Sequence, residues 1–302
     1  CKTEAPFVTF TRRKSLLGIS IFASILFHLS TPGLSLATEP ANRHQKATKW
    51  LHPDIMHGVV YSSWDGSYEE QGRWKADLEY FDRLGVGWIQ IMTFARQPDV
   101  ERPIIHSDSA KRWPSSFVRS AREKGIKILL KPHVWSPQFY DGSKRWRGSI
   151  RMKTDADWAK WFKSYEAFII EEAKRAESFG IEAFSIGLEY VEATRSQTAR
   201  WRALIKAIRS VYSGALTYSA DGNHEAGHIA FWDLLDFIGI NAYFSLGTPS
   251  LPGGFDLDAA WAAPLSRIQK LQAKHNKPVV FTEVGYASRP GCTSQPWQWP
   301  SR

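Results

Sequence analysis

Two glutamates each close an otherwise apolar run: Glu189 in Ser-Ile-Gly-Leu-Glu-Tyr and Glu283 in Val-Val-Phe-Thr-Glu-Val-Gly-Tyr. A carboxylate at the end of a buried segment is costly unless it is paired or put to use. Two of them facing one cleft suit glycoside hydrolysis, in which one attacks the anomeric carbon and the other protonates the departing oxygen. A rival chemistry lies in His224-Glu225-Ala226-Gly227-His228, which matches the H-E-x-x-H pattern of zinc hydrolases. That chemistry needs both imidazoles on one face of a continuous helix, with a further ligand beyond. Here the motif follows the turn Asp221-Gly222-Asn223, and Gly227 weakens any helix through it. Asp54 and Asp256 show no calcium-loop spacing. No metal or other cofactor is expected.

The elements that must hold the glutamates alternate. Apolar runs predict strands at Ile55–Trp64, Val86–Phe94, Ile126–Trp135, Ile181–Tyr190, Ala215–Ser219, Phe237–Phe244 and Pro278–Tyr286. Helical spacing fills the intervals at Tyr68–Leu84, Ser115–Lys124, Asp155–Phe179, Thr198–Tyr212, Ile229–Leu235 and Leu257–His275. Gly85, Gly125 and Gly180 follow three of these helices directly, where a C-cap belongs. Such alternation implies a parallel sheet covered by helices, and seven units fit a (β/α)₈ TIM barrel better than an open sheet. No dinucleotide fingerprint follows the first strand. A barrel of this kind needs an eighth βα unit, which is expected beyond Arg302.

Barrel enzymes carry their working residues at the C-terminal ends of strands. Besides the glutamates, those ends hold Trp64, His133, Trp135, Asn241, Tyr243 and Tyr286. A tyrosine hydroxyl can keep a nucleophilic carboxylate ionised and oriented, and Tyr243 is the candidate. His133 could bind substrate hydroxyls or tune a carboxylate, or be a packed structural histidine. Trp64, Trp135 and Trp146 could stack on sugar faces, although most tryptophans of a barrel fill the helix–sheet interface. Asp221 serves either its turn or a ligand.

The chain has 302 residues and a formal charge of +9, of which +3 falls in the first 37. The rest is interleaved with acids, which argues for a solvated surface and against nucleic acid. Arg12-Arg13-Lys14, the interrupted apolar stretch Leu16–Leu34 and Ser35-Leu36-Ala37 have the layout of a signal peptide over residues 1–37. A polar linker (38–50) and the barrel domain (51–302) follow. The expected location is therefore secreted or periplasmic, without stable membrane insertion after cleavage. Cleavage would remove Cys1 and leave Cys292 without a disulfide partner. Nothing in the sequence specifies an oligomeric state.

From about Gly58 to Trp299 the chain resembles glycoside hydrolase family 113, of the clan of retaining barrel glycosidases. The resemblance rests on Lys131-Pro132-His133, Trp146-Arg147-Gly148, Gly187-Leu188-Glu189, the run from Phe237 to Phe244 and that from Phe281 to Tyr286. It implies that Glu189 is the acid/base and Glu283 the nucleophile, with β-1,4-mannan polysaccharide or oligosaccharide as substrate. One departure stands out: many clan members carry Asn before the acid/base, where it touches the sugar 2-hydroxyl, and here that position is Leu188. Asn241 or His133 would then hold that hydroxyl. The remaining alternative is a barrel that binds sugar without cleaving it.

Overall fold

The computed structural model describes residues 20–23, 56–61, 72–107, 113–247 and 256–298. The strands are β1 (Ser20–Ala23), β2 (His57–Tyr61), β3 (Trp88–Arg96), β4 (His106–Ser107), β5 (Lys127–Trp135), β6 (Ala183–Leu188), β7 (Ala215–Asp221), β8 (Ile238–Asn241) and β9 (Val279–Glu283). The helices are α1 (Arg73–Arg83), α2 (Ser115–Glu123), α3 (Asp155–Phe179), α4 (Val191–Ser196), α5 (Thr198–Arg209) and α6 (Leu257–His275).

The seven apolar runs become seven parallel strands, joined in chain order as β2-β3-β5-β6-β7-β8-β9. They curve into a nearly closed barrel. β1 pairs antiparallel with β2 and also neighbours β9, and β4 pairs antiparallel with β3. Apart from β1, the leader and linker expected over residues 1–50 lie outside the described residues, and so does Trp64. Among the described residues no helix is long and apolar enough to cross a membrane.

The strands are buried on both faces, which is why they read as continuous apolar runs. Helix α3 shows how the flanking layer is specified. Thr154 caps it by accepting from the Asp157 amide, Asp155 and Asp157 favour its positive end, and Gly180 (φ 63°) ends it in the left-handed conformation. Its buried stripe, including Trp158, Trp161, Phe162, Tyr165, Phe168 and Ile169, follows helical spacing. Trp161, Tyr165, Tyr190, Trp201, Tyr218 and Phe231 interlock behind β6 and β7, with Trp161 stacked on Tyr165 at 4.9 Å. Such pairs add about 0.5–1.5 kcal/mol each beyond area burial.

One expected element differs. The helix predicted over Ile229–Leu235 is a single 3₁₀ turn, Trp232–Leu234. The segment is too short to offset helix nucleation, and Phe231 and Trp232 instead wedge individually against Tyr218. Helix α4 and the short strand β4 add to the predicted pattern.

Candidate active site

The C-terminal ends of β5, β6, β8 and β9 converge. Glu189 follows β6 directly and is 7% exposed. Its backbone sits at φ 52°, a left-handed conformation that costs a side-chain-bearing residue about 1–2 kcal/mol. Asn241, the last residue of β8, donates from Nδ2 to Glu189 Oε1 at 2.8 Å. Arg147 Nε stands 3.4 Å from Glu189 Oε2. Glu283 closes β9; Lys131 Nζ is ion-paired with its Oε1, and the Tyr243 hydroxyl donates to its Oε2 at 3.0 Å. Glu189 and Glu283 therefore share one network, running through Asn241 and Lys131, since Lys131 Nζ also reaches Asn241 Oδ1 at 3.4 Å. Irregularities in strand register fall in β6 between Ser185 and Leu188 and in β8 between Ile240 and Asn241, beside these ends. Such irregularities often re-aim side chains next to active sites.

Lys131 has no solvent exposure, and its partners come from β8 and β9 across the barrel and from β3 beside its own strand. Asn241 lies on β8, while Thr282 and Glu283 lie on β9. The Gln90 amide on β3, oriented to satisfy its surroundings, accepts from Lys131 at 3.0 Å and donates to the Thr282 carbonyl at 2.7 Å. The ammonium thus lies inside the barrel mouth.

These charges separate the two carboxyls. Burial raises Glu189 above the usual carboxylate range, and the negative charge of Glu283 adds to that rise. Arg147 and the Asn241 hydrogen bond oppose it without cancelling it. Burial would raise Glu283 as well, but the charges of Lys131 and Arg147, with the hydrogen bonds from Lys131 and Tyr243, hold it below the usual range. One carboxyl is therefore poised to hold a proton while the other stays ionised. This is the pattern that separates acid from nucleophile.

The other predicted site residues are distributed around this pair. His133, two residues after Lys131 and thus on the same face of β5, is 2% exposed. Neither of its ring nitrogens has a hydrogen-bond partner among the described residues, and its ring meets Phe94 edge-on at 5.6 Å. Burial, then the charges of Arg147 and Lys131, push its pKa well below the ordinary imidazole value, so it is neutral. Trp135 stacks on Tyr140 at 4.9 Å beside Arg147, and Trp146 is partly exposed with its ring folded over Gly148. The Tyr286 hydroxyl donates to the Phe244 carbonyl at 3.1 Å. Asp221 shapes its turn by accepting from the amides of Asn223 and His224 at 3.0 and 2.6 Å.

The zinc alternative does not survive this geometry. Residues 224–228 form turns, with His224 and His228 exposed and Glu225 turned inward. Glu225 accepts from Thr194, Tyr218 and the Asp221 amide. Without a helix the two imidazoles share no face, and no cluster of three candidate ligands occurs among the described residues.

Sequence reasoning assigned no role to Lys131 or Arg147. For Lys131 a signal existed: a lysine inside the run Ile-Lys-Ile-Leu-Leu-Lys-Pro-His-Val-Trp must find a negative partner if that run is a buried strand. Arg147 starts a single 3₁₀ turn, Arg147–Ser149, just after the exposed Lys144 and Arg145, and although Trp146-Arg147-Gly148 belongs to the resemblance, residue type alone does not separate it from those two.

The model of Glycoside Hydrolase Family 113 matches residues 59–302. Among solved structures, a β-1,4-mannanase of that family is similar at 26% identity and TM-score 0.68, covering 80% of this chain and 76% of the other. A β-mannanase of the same family from Alicyclobacillus acidocaldarius is similar at 26% identity and TM-score 0.67, covering 80% and 75%. A β-glucuronidase from Ruminococcus gnavus shares the fold at 18% identity and TM-score 0.50, covering 73% of this chain and 33% of its own. No curated protein sequence matches. With the family model spanning the whole barrel and its carboxylate-bearing strand ends, the chain belongs to glycoside hydrolase family 113.

Proposed function

We propose that this enzyme cleaves β-1,4-linked mannan-type glycans with net retention, in two displacements. Glu283 attacks the anomeric carbon while Glu189 protonates the departing oxygen. Glu189, now ionised, then takes a proton from the water that releases the sugar. The observation that carries this reading is the opposite displacement of the two carboxyls within one network, Glu189 up and Glu283 down. Tyr243 and Lys131 keep Glu283 ionised and oriented. After Glu283 is consumed in the covalent intermediate, its negative charge no longer raises Glu189, which frees Glu189 to act as a base.

Mannan as substrate is supported by the two mannanases to which the chain is similar. With Leu188 fully buried beside the acid/base, the sugar 2-hydroxyl needs another partner. Neutral His133 offers one donor and one acceptor, neither taken within the described residues. The signal-like N-terminus supports action outside the cytoplasm.

The test uses an activated aryl β-mannoside and the anomeric configuration of the first product. Glu283→Ala is expected to lose turnover by at least ~10⁴-fold. Glu189→Ala is expected to retain slow turnover of a substrate with a good leaving group, and added azide is expected to accelerate it to a β-mannosyl azide. An α-configured first product from the wild-type enzyme, or undiminished turnover in Glu283→Ala, overturns the mechanism. Cleavage of cello-oligosaccharides in preference to manno-oligosaccharides overturns the substrate.

A further inference from the structure

Glu225 is a buried carboxyl that the reaction above does not use. It is 1% exposed, and burial pushes it up to about 8. It is not needed to build its own turn, because Asp221 already accepts from the Asn223 and His224 amides there. Its Oε1 accepts from the Tyr218 hydroxyl at 2.7 Å and from Thr194 Oγ1 at 2.8 Å, and its Oε2 accepts from the Asp221 amide at 2.9 Å. Two of these three partners lead to the acid/base.

The Tyr218 hydroxyl is itself an acceptor, taking the Tyr190 amide at 2.7 Å. Tyr190 is the residue after Glu189, whose left-handed backbone must be held against its own strain. The Glu189 amide is fixed by the Ser219 carbonyl at 3.1 Å, and the Tyr190 amide by Tyr218, so consecutive residues of β7 pin consecutive amides of the corner. A phenol hydroxyl rotates. It presents a lone pair to Tyr190 only while its proton is drawn elsewhere, and Glu225 Oε1 is the acceptor that draws it. Donating to Glu225 also makes the phenol oxygen a better acceptor in turn. Thr194 ties the same carboxyl to helix α4, which starts immediately after Tyr190.

We infer that Glu225 is a positioning residue for catalysis: through the Tyr218 hydroxyl it holds the strained corner that aims the Glu189 carboxyl at the leaving group. The glutamate of the apparent zinc motif thus serves the glycosidase site from behind. This inference rests on the reading of Glu189 as acid/base.

Tyr218→Phe and Glu225→Leu, which remove the hydroxyl and its acceptor respectively, each checked for folding by thermal melting, are assayed on manno-oligosaccharide and on a dinitrophenyl β-mannoside. The first substrate needs a proton on its departing oxygen and the second does not. For both variants kcat/KM on the oligosaccharide is expected to fall about 10- to 100-fold, the range for a misplacement of about 1 Å. The loss should lie in kcat, with KM unchanged, and kcat/KM on the dinitrophenyl substrate should move less than about threefold. Equal losses on both substrates, or no loss on either, overturn the inference. If Glu225→Leu does not fold, Tyr218→Phe decides alone, since it removes one hydroxyl. Glu189→Gln is run beside them. Should it too lack the leaving-group dependence, the assignment of Glu189 fails; should it alone show the dependence, only the role of Glu225 fails.

Discussion

A lysine ammonium with no solvent exposure needs a negative partner, and Lys131 has Glu283. The pair lowers Glu283 and leaves Glu189 as the carboxyl that titrates late. The kcat/KM profile against pH is therefore expected to be bell-shaped, its acid limb set by Glu283 and its basic limb by Glu189. In Lys131→Met the cation that lowers Glu283 is gone, so the acid limb moves to higher pH and the active window narrows from that side. In Arg147→Gln the charge that opposes the rise of Glu189 and helps to hold Glu283 down is gone, so both limbs move to higher pH. Profiles measured on both variants separate the two cations: Lys131→Met moves the acid limb, and Arg147→Gln moves both. A Lys131→Met profile whose acid limb stayed in place would remove Lys131 from the electrostatic account.

At the scale of elements, the decisive feature is the corner between β6 and α4. Gly187 lies two residues before Glu189 and packs under three aromatics. A Cβ there would meet Trp201 and Tyr218 at 3.0 Å and the Tyr165 hydroxyl at 3.1 Å. Gly187→Ala is expected to destabilise the fold by about 1–3 kcal/mol, visible as a lowered melting temperature. It should also reduce kcat more than KM, because the crowded strand end carries Glu189. The position of Glu189 at the end of an apolar run was legible in sequence, since a strand buried on both faces reads as uninterrupted hydrophobicity. The left-handed turn that aims it was not. That conformation is imposed by Ser219 and Tyr218 from the next strand, and no local residue preference announces a glutamate at φ 52°.

At the scale of the molecule, Glu225 gives stability a pH dependence of known sign. Its carboxyl titrates at about 8 in the folded protein against 4.5 ordinarily. Between those values the folded state holds a proton that the unfolded chain releases, so stability falls as pH rises through that window. Glu225→Gln carries no such proton. Its melting temperature, relative to wild type, is expected to rise between about pH 5 and about pH 8 and to level off above. A constant difference across that range would show that Glu225 does not titrate there.

By itself the sequence determined the alternation of strand and helix, the barrel that follows from it, and the two carboxylates at strand ends. These are carried by periodicity within short windows, and the positional rule for barrels does the rest. Tertiary structure decided which charges surround those carboxylates, that Tyr286 spends its hydroxyl on the Phe244 carbonyl, and that the H-E-x-x-H segment turns its glutamate inward and its histidines out. Lys131 and Glu283 are 152 residues apart, and Glu189 and Asn241 are 52. Electrostatic fields and hydrogen bonds act over a few ångströms of space, so their partners are chosen only once the barrel has brought distant strand ends together.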